Sequence, residues 1–350
     1  MKVSAETLET QAQEALKTCL ERTSISVDSM EKLAVSGVIN GDFLAKLATP
    51  TGKLEIIVEV KSSGQPRIVR EAVGALLMLK RAYPKAYGVV AAPYISAESA
   101  AICEAENVGF VDFAGNCRIN FGDVFIERSG QPASPKAKRE QRSLFTPKAS
   151  RVLRVLLEGP KKKWRIAKLA PEAGVSLGQA FNVKRILLDQ EMIVVDDDGI
   201  ILKDAEVLLG KWAVAYVPRK NWFEYFTLKS PAEFEAELAK LCDVKGIPYA
   251  LMGFSAASRY APAVRSNRAM AYVSGDPDDI ARELGLKAVT SGANVVLAFP
   301  SDAGVYYGSQ EIDGMKIVSP LQAYLDLVGF RGRGDEAAQT ILERKVRPTW

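Results

Sequence analysis

Residues 53–63, KLEIIVEVKSS, place the tightest constraint on what this chain can fold into. Successive side chains on a strand point to opposite faces. That alternation sends Leu54, Ile56, Val58 and Val60 one way and Glu55, Ile57, Glu59 and Lys61 the other. A strand of this kind needs a partner. The run DFLAKLAT, residues 42–49, reads as one, and the PTGK between them suits a hairpin. In an antiparallel pair the start of one strand lies beside the end of the other. Asp42 is therefore expected to approach Glu59 and Lys61.

The flanking sequence alternates between helix and strand signals. Residues 6–22 carry Leu8, Ala12, Ala15, Leu16 and Leu20 near helical spacing. Residues 66–83 and 96–108 read as helices, the second opened by Ser96 as N-cap. Residues 86–95 read as a buried strand, and 109–129 as short strands joined by glycine turns. The expected fold class is mixed α/β, with a first domain over 1–130. Residues 131–149 have linker composition, made positive by Lys136, Lys138, Arg139, Arg142 and Lys148. Residues 150–204 read as three helices and a β-hairpin. Residues 205–350 form a third, α+β segment.

The chain contains no histidine, which excludes Ser-His triads, histidine general bases and histidine-ligated zinc. Hydrolytic chemistry would have to use carboxylates, lysine, hydroxyls or main chain, and carboxylate-bound Mg²⁺ is the natural option. Four cysteines without a C-x-x-C pair read as reduced, buried thiols. No apolar run reaches membrane-spanning length, and the N-terminus has no signal-peptide pattern, so a cytoplasmic location is expected. A net charge of +4 does not itself argue for nucleic acid, so the local distribution decides.

Asp42, Glu59 and Lys61 have a use if they converge. The two carboxylates would hold Mg²⁺, and the lysine would orient water or stabilise charge on a phosphodiester under attack. The other reading is a solvated strand face, because Glu-x-Lys recurs at Glu343–Lys345 in a helical stretch. The set resembles the PD-(D/E)xK, or restriction-endonuclease-like, superfamily in Asp42, Glu59-Val60-Lys61 and element order. Gly41 stands where a proline is usual. The resemblance implies a nucleic-acid-handling fold, cutting or not. It assigns supporting roles to Glu14 and to Gln65 or Arg70.

Residues 150–203 resemble a winged helix-turn-helix. Ala167, Leu169 and Ala170 are expected to pack its second helix, with Gly174 in the turn and Ser176 as the next N-cap. Leu177, Ala180, Val183 and Leu187 are expected in the core. Gln179, Asn182 and Arg185 would face a major groove, where Gln and Asn suit adenine and Arg suits guanine. Lys161, Lys162, Lys163 and Arg165 suit phosphate contact. The wing spans Val194 to Leu202, and its acidic tip, Asp196-Asp197-Asp198-Gly199, argues against deep insertion into DNA. A protein-contact role for the module stays open.

VKSSGQPRIVREA and FVDFAGNCRINF, with GIPYALMGFSAASRYAP and the stretch from GVYYGSQEIDG onward, resemble AbiEi-like antitoxins of type IV toxin–antitoxin systems. The C-terminal part of that resemblance implies a nucleotidyltransferase-like domain. Gly253 and Ser255 would be a relic of its Gly-Ser turn, but no Asp or Glu occurs between Asp243 and Asp276, so no nucleotidyl transfer is expected. Asp276, Asp278 and Asp279 read as a helix start. Arg259, Arg265 and Arg268 read as a basic face or an anion contact. The family implies a DNA-binding transcriptional regulator of antitoxin type. Its implied partners are double-stranded DNA, a cognate toxin and a second copy of the chain. The alternative is a Mg²⁺-dependent deoxyribonuclease targeted by the winged helix.

Overall fold

The computed structural model describes residues 4–21, 23–33, 42–133, 135, 143–216, 221–261, 267–330 and 333–350. The chain divides into two compact units, residues 1–141 with 186–191, and residues 142–185 with 192–350. Gly41, Lys136, Lys138, Arg139, Arg142 and Arg265 lie outside the described residues.

The first unit opens with α1 (Ala5–Leu20), whose N-cap Ser4 accepts the Thr7 N–H at 3.2 Å. Then follow β1 (Ser26–Lys32), β2 (Phe43–Thr49), β3 (Gly52–Val60), α2 (Pro66–Leu79), β4 (Tyr87–Ala92), α3 (Ala97–Ala105), β5 (Gly109–Asp112), β6 (Cys117–Phe121) and β7 (Val124–Arg128). The seven strands lie side by side in chain order. The β3–β4 and β4–β5 pairs are parallel, which requires crossovers, and α2 and α3 supply them. The remaining neighbours are antiparallel.

Both faces of this sheet are covered, which corrects the expectation of an open, solvated face. Ile56 and Val58 join the core under α1, with Ala12 and Leu16. Ile57 joins a second core with Val69, Val73 and Val90. Glu59 follows Ile57 by two residues and is only 5% exposed. The strand β1 escapes the sequence reading because SVDSMEK has no apolar alternation. As an edge strand it has little to bury.

Next along the chain, α4 (Pro147–Glu158), α5 (Ile166–Glu172) and α6 (Leu177–Asp189), of which residues 186–189 count with the first unit, precede a hairpin of β8 (Ile193–Asp196) and β9 (Gly199–Leu202) in the second unit. Trp164 adds a bridge to that hairpin, exchanging N–H···O bonds with Ile200 at 2.8 and 2.9 Å. Gly174 turns the chain at φ +59°, as its position between two helices requires. Ala180, Val183 and Leu187 are fully buried. Two core expectations are corrected. Ala167 is exposed, and Leu177, the first residue of α6, is 58% exposed.

The same unit continues through α7 (Ala205–Ala215), α8 (Pro231–Lys245), α9 (Gly253–Tyr260), α10 (Pro277–Glu283), α11 (Pro320–Leu327) and α12 (Gly334–Ile341). Its sheet is built from β10 (Trp222–Phe226), β11 (Tyr249–Leu251), β12 (Ala269–Val273), β13 (Lys287–Ala288), β14 (Val295–Ala298), β15 (Gln310–Ile312) and β16 (Met315–Ile317). The order is β13-β10-β14-β12-β11-β16-β15, with parallel and antiparallel neighbours mixed. Helix α4 is tied to these elements by polar contacts. Arg151 forks onto Asp302 at 2.7 and 2.9 Å, and the buried Arg154 donates to Gln322. Gln322 and Tyr272 in turn donate to Asp326 at 2.7 and 2.6 Å. Burial raises the Asp326 carboxyl to about 7 despite those donors.

Candidate nucleic-acid interface and carboxylate site

The hairpin register brings the predicted carboxylates together. Phe43 pairs with Val58, and the Asp42 N–H continues the ladder to the Val58 carbonyl at 3.1 Å. The Asp42 side chain reaches past it, and Oδ2 accepts the Val60 N–H at 2.6 Å. Lys61 Nζ stands 2.6 Å from Glu59 Oε1. Glu59 Oε2 is buried without a hydrogen-bond partner. Burial pushes both carboxyls above their usual range, and the charge of Asp42 adds to the rise at Glu59. Lys61 acts against the rise at both.

Helix α1 adds an acid that sequence reasoning assigned elsewhere. The charge of Glu9 also opposes ionisation of Asp42, and Glu9 lies 3.6 Å from Lys32. Glu14 instead lines a separate cleft of about 320 Å³ with Gln11, Asp112 and Asn116. Helical spacing alone does not say which acid of an amphipathic helix faces a sheet edge. Gln65 sits at the N-cap of α2 and makes no capping bond with its side chain. Among the described residues, no three Cys, Asp or Glu side chains group as a metal cage. Asp42 and Glu59 are the carboxylates here that could hold an ion such as Mg²⁺, which keeps several waters and takes one or two carboxylates. The orphaned Glu59 Oε2 is an oxygen such an ion would satisfy.

FVDFAGNCRINF is scaffolding. Asp112, buried, accepts N–H bonds from Ile95, Ala114 and Asn116 and from the Asn116 amide. Asn116 exchanges bonds with the Gln131 main chain at 2.8 and 3.0 Å. The motif fixes a turn, with Gly115 at φ +102°.

The α5–turn–α6 segment presents a polar face. Ser176 Oγ accepts the Gln179 N–H at 3.2 Å and caps α6. Gln179 is half-buried, whereas Asn182 and Arg185 are exposed and joined by a 3.1 Å bond from Arg185 Nη2 to Asn182 Oδ1. The lysine run splits into three roles. Lys161 donates to the Trp350 carbonyl. Lys162 lies over the Trp164 ring at 3.8 Å. Lys163 is 2.6 Å from Asp196 and 3.5 Å from Asp198. The acidic hairpin tip therefore has a local use, which is to hold Lys163. Lys162, Lys163, Arg165 and Lys168 line an open groove of about 680 Å³.

The Gly253–Ser255 turn in the C-terminal sequence is structural. Gly253 has φ +50°, and a Cβ there would meet Met270 Sδ at 2.9 Å. Ser255, buried, donates to Glu235 and accepts the Met270 N–H at 2.8 Å. Arg259 pairs with Glu235 at 2.7 Å. Asp276 caps α10 by accepting the Asp278 N–H at 2.9 Å, as its place before a helix predicts.

Residues 201–347 match a family model described as "Transcriptional regulator, AbiEi antitoxin, Type IV TA system". No curated protein matches the chain. Two solved structures align weakly over part of it. One is "Structure of EndoMS in apo form", at TM-score 0.23 and 17% identity, covering 32% of this chain and 47% of that one. The other is "crystal structure of a repair endonuclease from Pyrococcus abyssi", at TM-score 0.25 and 18% identity, with the same coverage. The chain thus spans less than half the length of these structures. Among the described residues no helix is long and apolar enough to cross a membrane.

Proposed function

We propose that this protein is a DNA-binding transcriptional regulator of antitoxin type, with a restriction-endonuclease-like first domain, a winged helix-turn-helix and a nucleotidyltransferase-like C-terminal domain that does not transfer nucleotides. One observation carries the reading. Helix α6 follows a glycine turn and exposes Asn182 and Arg185, while Lys162, Arg165 and Lys168 line a groove at the start of α5. Donors for base edges on one helix with cations for phosphates nearby are what a groove-reading helix needs. The family matched by residues 201–347 supports regulation as the purpose and a toxin protein as a partner. A second copy of the chain would place two such helices on a two-fold DNA site. The test is retention of the DNA upstream of its own coding sequence in a gel shift at fixed salt. Arg185→Ala or Lys162→Ala should weaken it, and unchanged binding would remove this module from the mechanism.

A second reading is favoured by the orphaned Glu59 oxygen beside Asp42 and Lys61. Here the first domain is a Mg²⁺-dependent deoxyribonuclease directed to DNA by the winged helix. Asp42 and Glu59 would hold the ion, which would polarise the phosphodiester and activate water. Lys61 would stabilise developing charge, with Gln65 near the attacking water. Nicking of plasmid DNA with Mg²⁺ or Mn²⁺ that disappears in Glu59→Ala and Lys61→Ala supports it. Equal nicking by the variants would assign the activity to a contaminant.

A further inference from the structure

We infer that the exposed face of α6 reads a thymine and a guanine two base pairs apart, the thymine through the Phe181 ring and the guanine through Arg185. This rests on the proposal that α6 enters the major groove, and it adds what the helix would recognise there.

The buried row Ala180, Val183 and Leu187 fixes the rotation of α6 about its axis. Leu177, Phe181 and Arg185 then follow one another at four-residue spacing on the outer side. Leu177 and Phe181 are each 58% exposed, an apolar pair one turn apart on a helix whose other large apolar residues are mostly covered. In the same helix-turn-helix segment, Lys162, Lys163, Arg165 and Lys168 outnumber Glu172 and Asp198 around the groove at the start of α5, a net positive flank. That flank fits a polyanion and opposes docking of a second copy of the same basic surface. A duplex offers one apolar group in its major groove, the thymine C5-methyl, and phenylalanine is among the side chains that contact it.

The polar half of the face is more selective than its composition implies. Asn182 Oδ1 already accepts from Arg185 Nη2 at 3.1 Å. That bond uses one of the two lone pairs on the Asn182 oxygen and couples the two side chains. The guanidinium keeps further N–H groups that are not used in it. Those donors match the two acceptors of guanine, O6 and N7. In this proposal Asn182 is a positioning residue for Arg185. From Phe181 to Arg185 the helix rises about 6 Å, close to two base-pair steps of ~3.4 Å.

The test is selection by the full-length protein from a pool of duplex DNA with a randomised core, followed by binding measurements on the enriched duplex. Enrichment of thymine and guanine two base pairs apart is expected. Replacing that thymine with deoxyuridine, which removes only the methyl group, should weaken wild-type binding about fourfold. Phe181→Ala, at an exposed position, should bind the thymine and uracil duplexes equally. Arg185→Ala should lose roughly 5- to 150-fold and its preference for guanine. An equal uracil penalty in Phe181→Ala, or an enriched motif without guanine, overturns the inference while leaving DNA binding intact. Failure to retain any duplex at low salt overturns the DNA-binding reading itself, and this inference with it.

Discussion

The Asp42 carboxylate accepts the Val60 main-chain N–H at 2.6 Å, one residue beyond Glu59. A side chain proposed as a metal ligand is therefore also a piece of the hairpin. Asp42→Ala leaves that N–H without its partner, which costs about 1–3 kcal/mol. Asp42→Asn keeps an oxygen acceptor and should cost less than half as much. Urea denaturation of the two variants measures the difference. Equal losses would mean that the bond contributes nothing beyond the charge.

Mn²⁺ binding should tighten as pH rises. Burial holds the Asp42 and Glu59 carboxyls above their ordinary range, and a metal competes with the proton on each. The apparent affinity should therefore climb from pH 5 to pH 7, and Glu59→Gln should remove most of the dependence. Calorimetric titration at the two pH values checks this. A pH-independent affinity would place the ion elsewhere.

Gly199→Ala should destabilise the second unit. Gly199 sits at φ +143°, and a Cβ would lie 2.5 Å from the Trp164 carbonyl oxygen. The added methyl must push apart the Trp164–Ile200 bridge, a strain of about 1–3 kcal/mol. Thermal unfolding should show a lower midpoint, and DNA binding should weaken with it. An unchanged midpoint would mean that the bridge is dispensable.

What the sequence made legible follows from which forces are local. The β2–β3 hairpin and the meeting of Asp42 with Glu59 follow from period-two alternation and one turn. Capping by Ser96 and Ser176 follows from side-chain chemistry within three residues. The burial of Glu59 was not legible, because the core on its side of the sheet draws on β4 and α3 as well as the adjoining α2, and periodicity does not say which strand face those helices cover. Which acid of α1 comes near Asp42 was not legible for the same reason, since the sheet decides which helix face matters. Pairing of Lys163 with Asp196 across 33 residues required the hairpin to form first.

The network around Asp326 should show itself in the pH dependence of stability. Its folded carboxyl stands at about 7 against an ordinary 3.8. Between those values the folded chain keeps a proton that the unfolded chain releases. The stability from this group is full below about pH 4 and is lost as pH rises through about 7. Each pKa unit is worth ~1.4 kcal/mol, so the loss is on the order of a few kcal/mol. Urea midpoints at pH 5 and pH 8 should differ less in Asp326→Asn than in the wild type. Equal differences would assign the slope to other groups.

Freeing Lys163 should strengthen DNA binding. Asp196 and Asp198 hold its ammonium at the hairpin tip, 2.6 and 3.5 Å away. A cation already paired releases fewer counterions on meeting a phosphate, because its charge is partly compensated before contact. Asp196→Asn with Asp198→Asn removes both partners and two negative charges from the rim of the basic groove. Non-specific affinity should rise, and the slope of log K against log salt should steepen by about one, the contribution of a single new phosphate contact. The main-chain bonds from Asp198 and Gly199 to Asp196 Oδ1 can be kept by the asparagine oxygen, so the turn should survive the change. Fluorescence anisotropy with an arbitrary duplex across a salt series measures both quantities. A slope equal to the wild type would place Lys163 outside the contact surface and assign the acidic tip to shaping the hairpin alone.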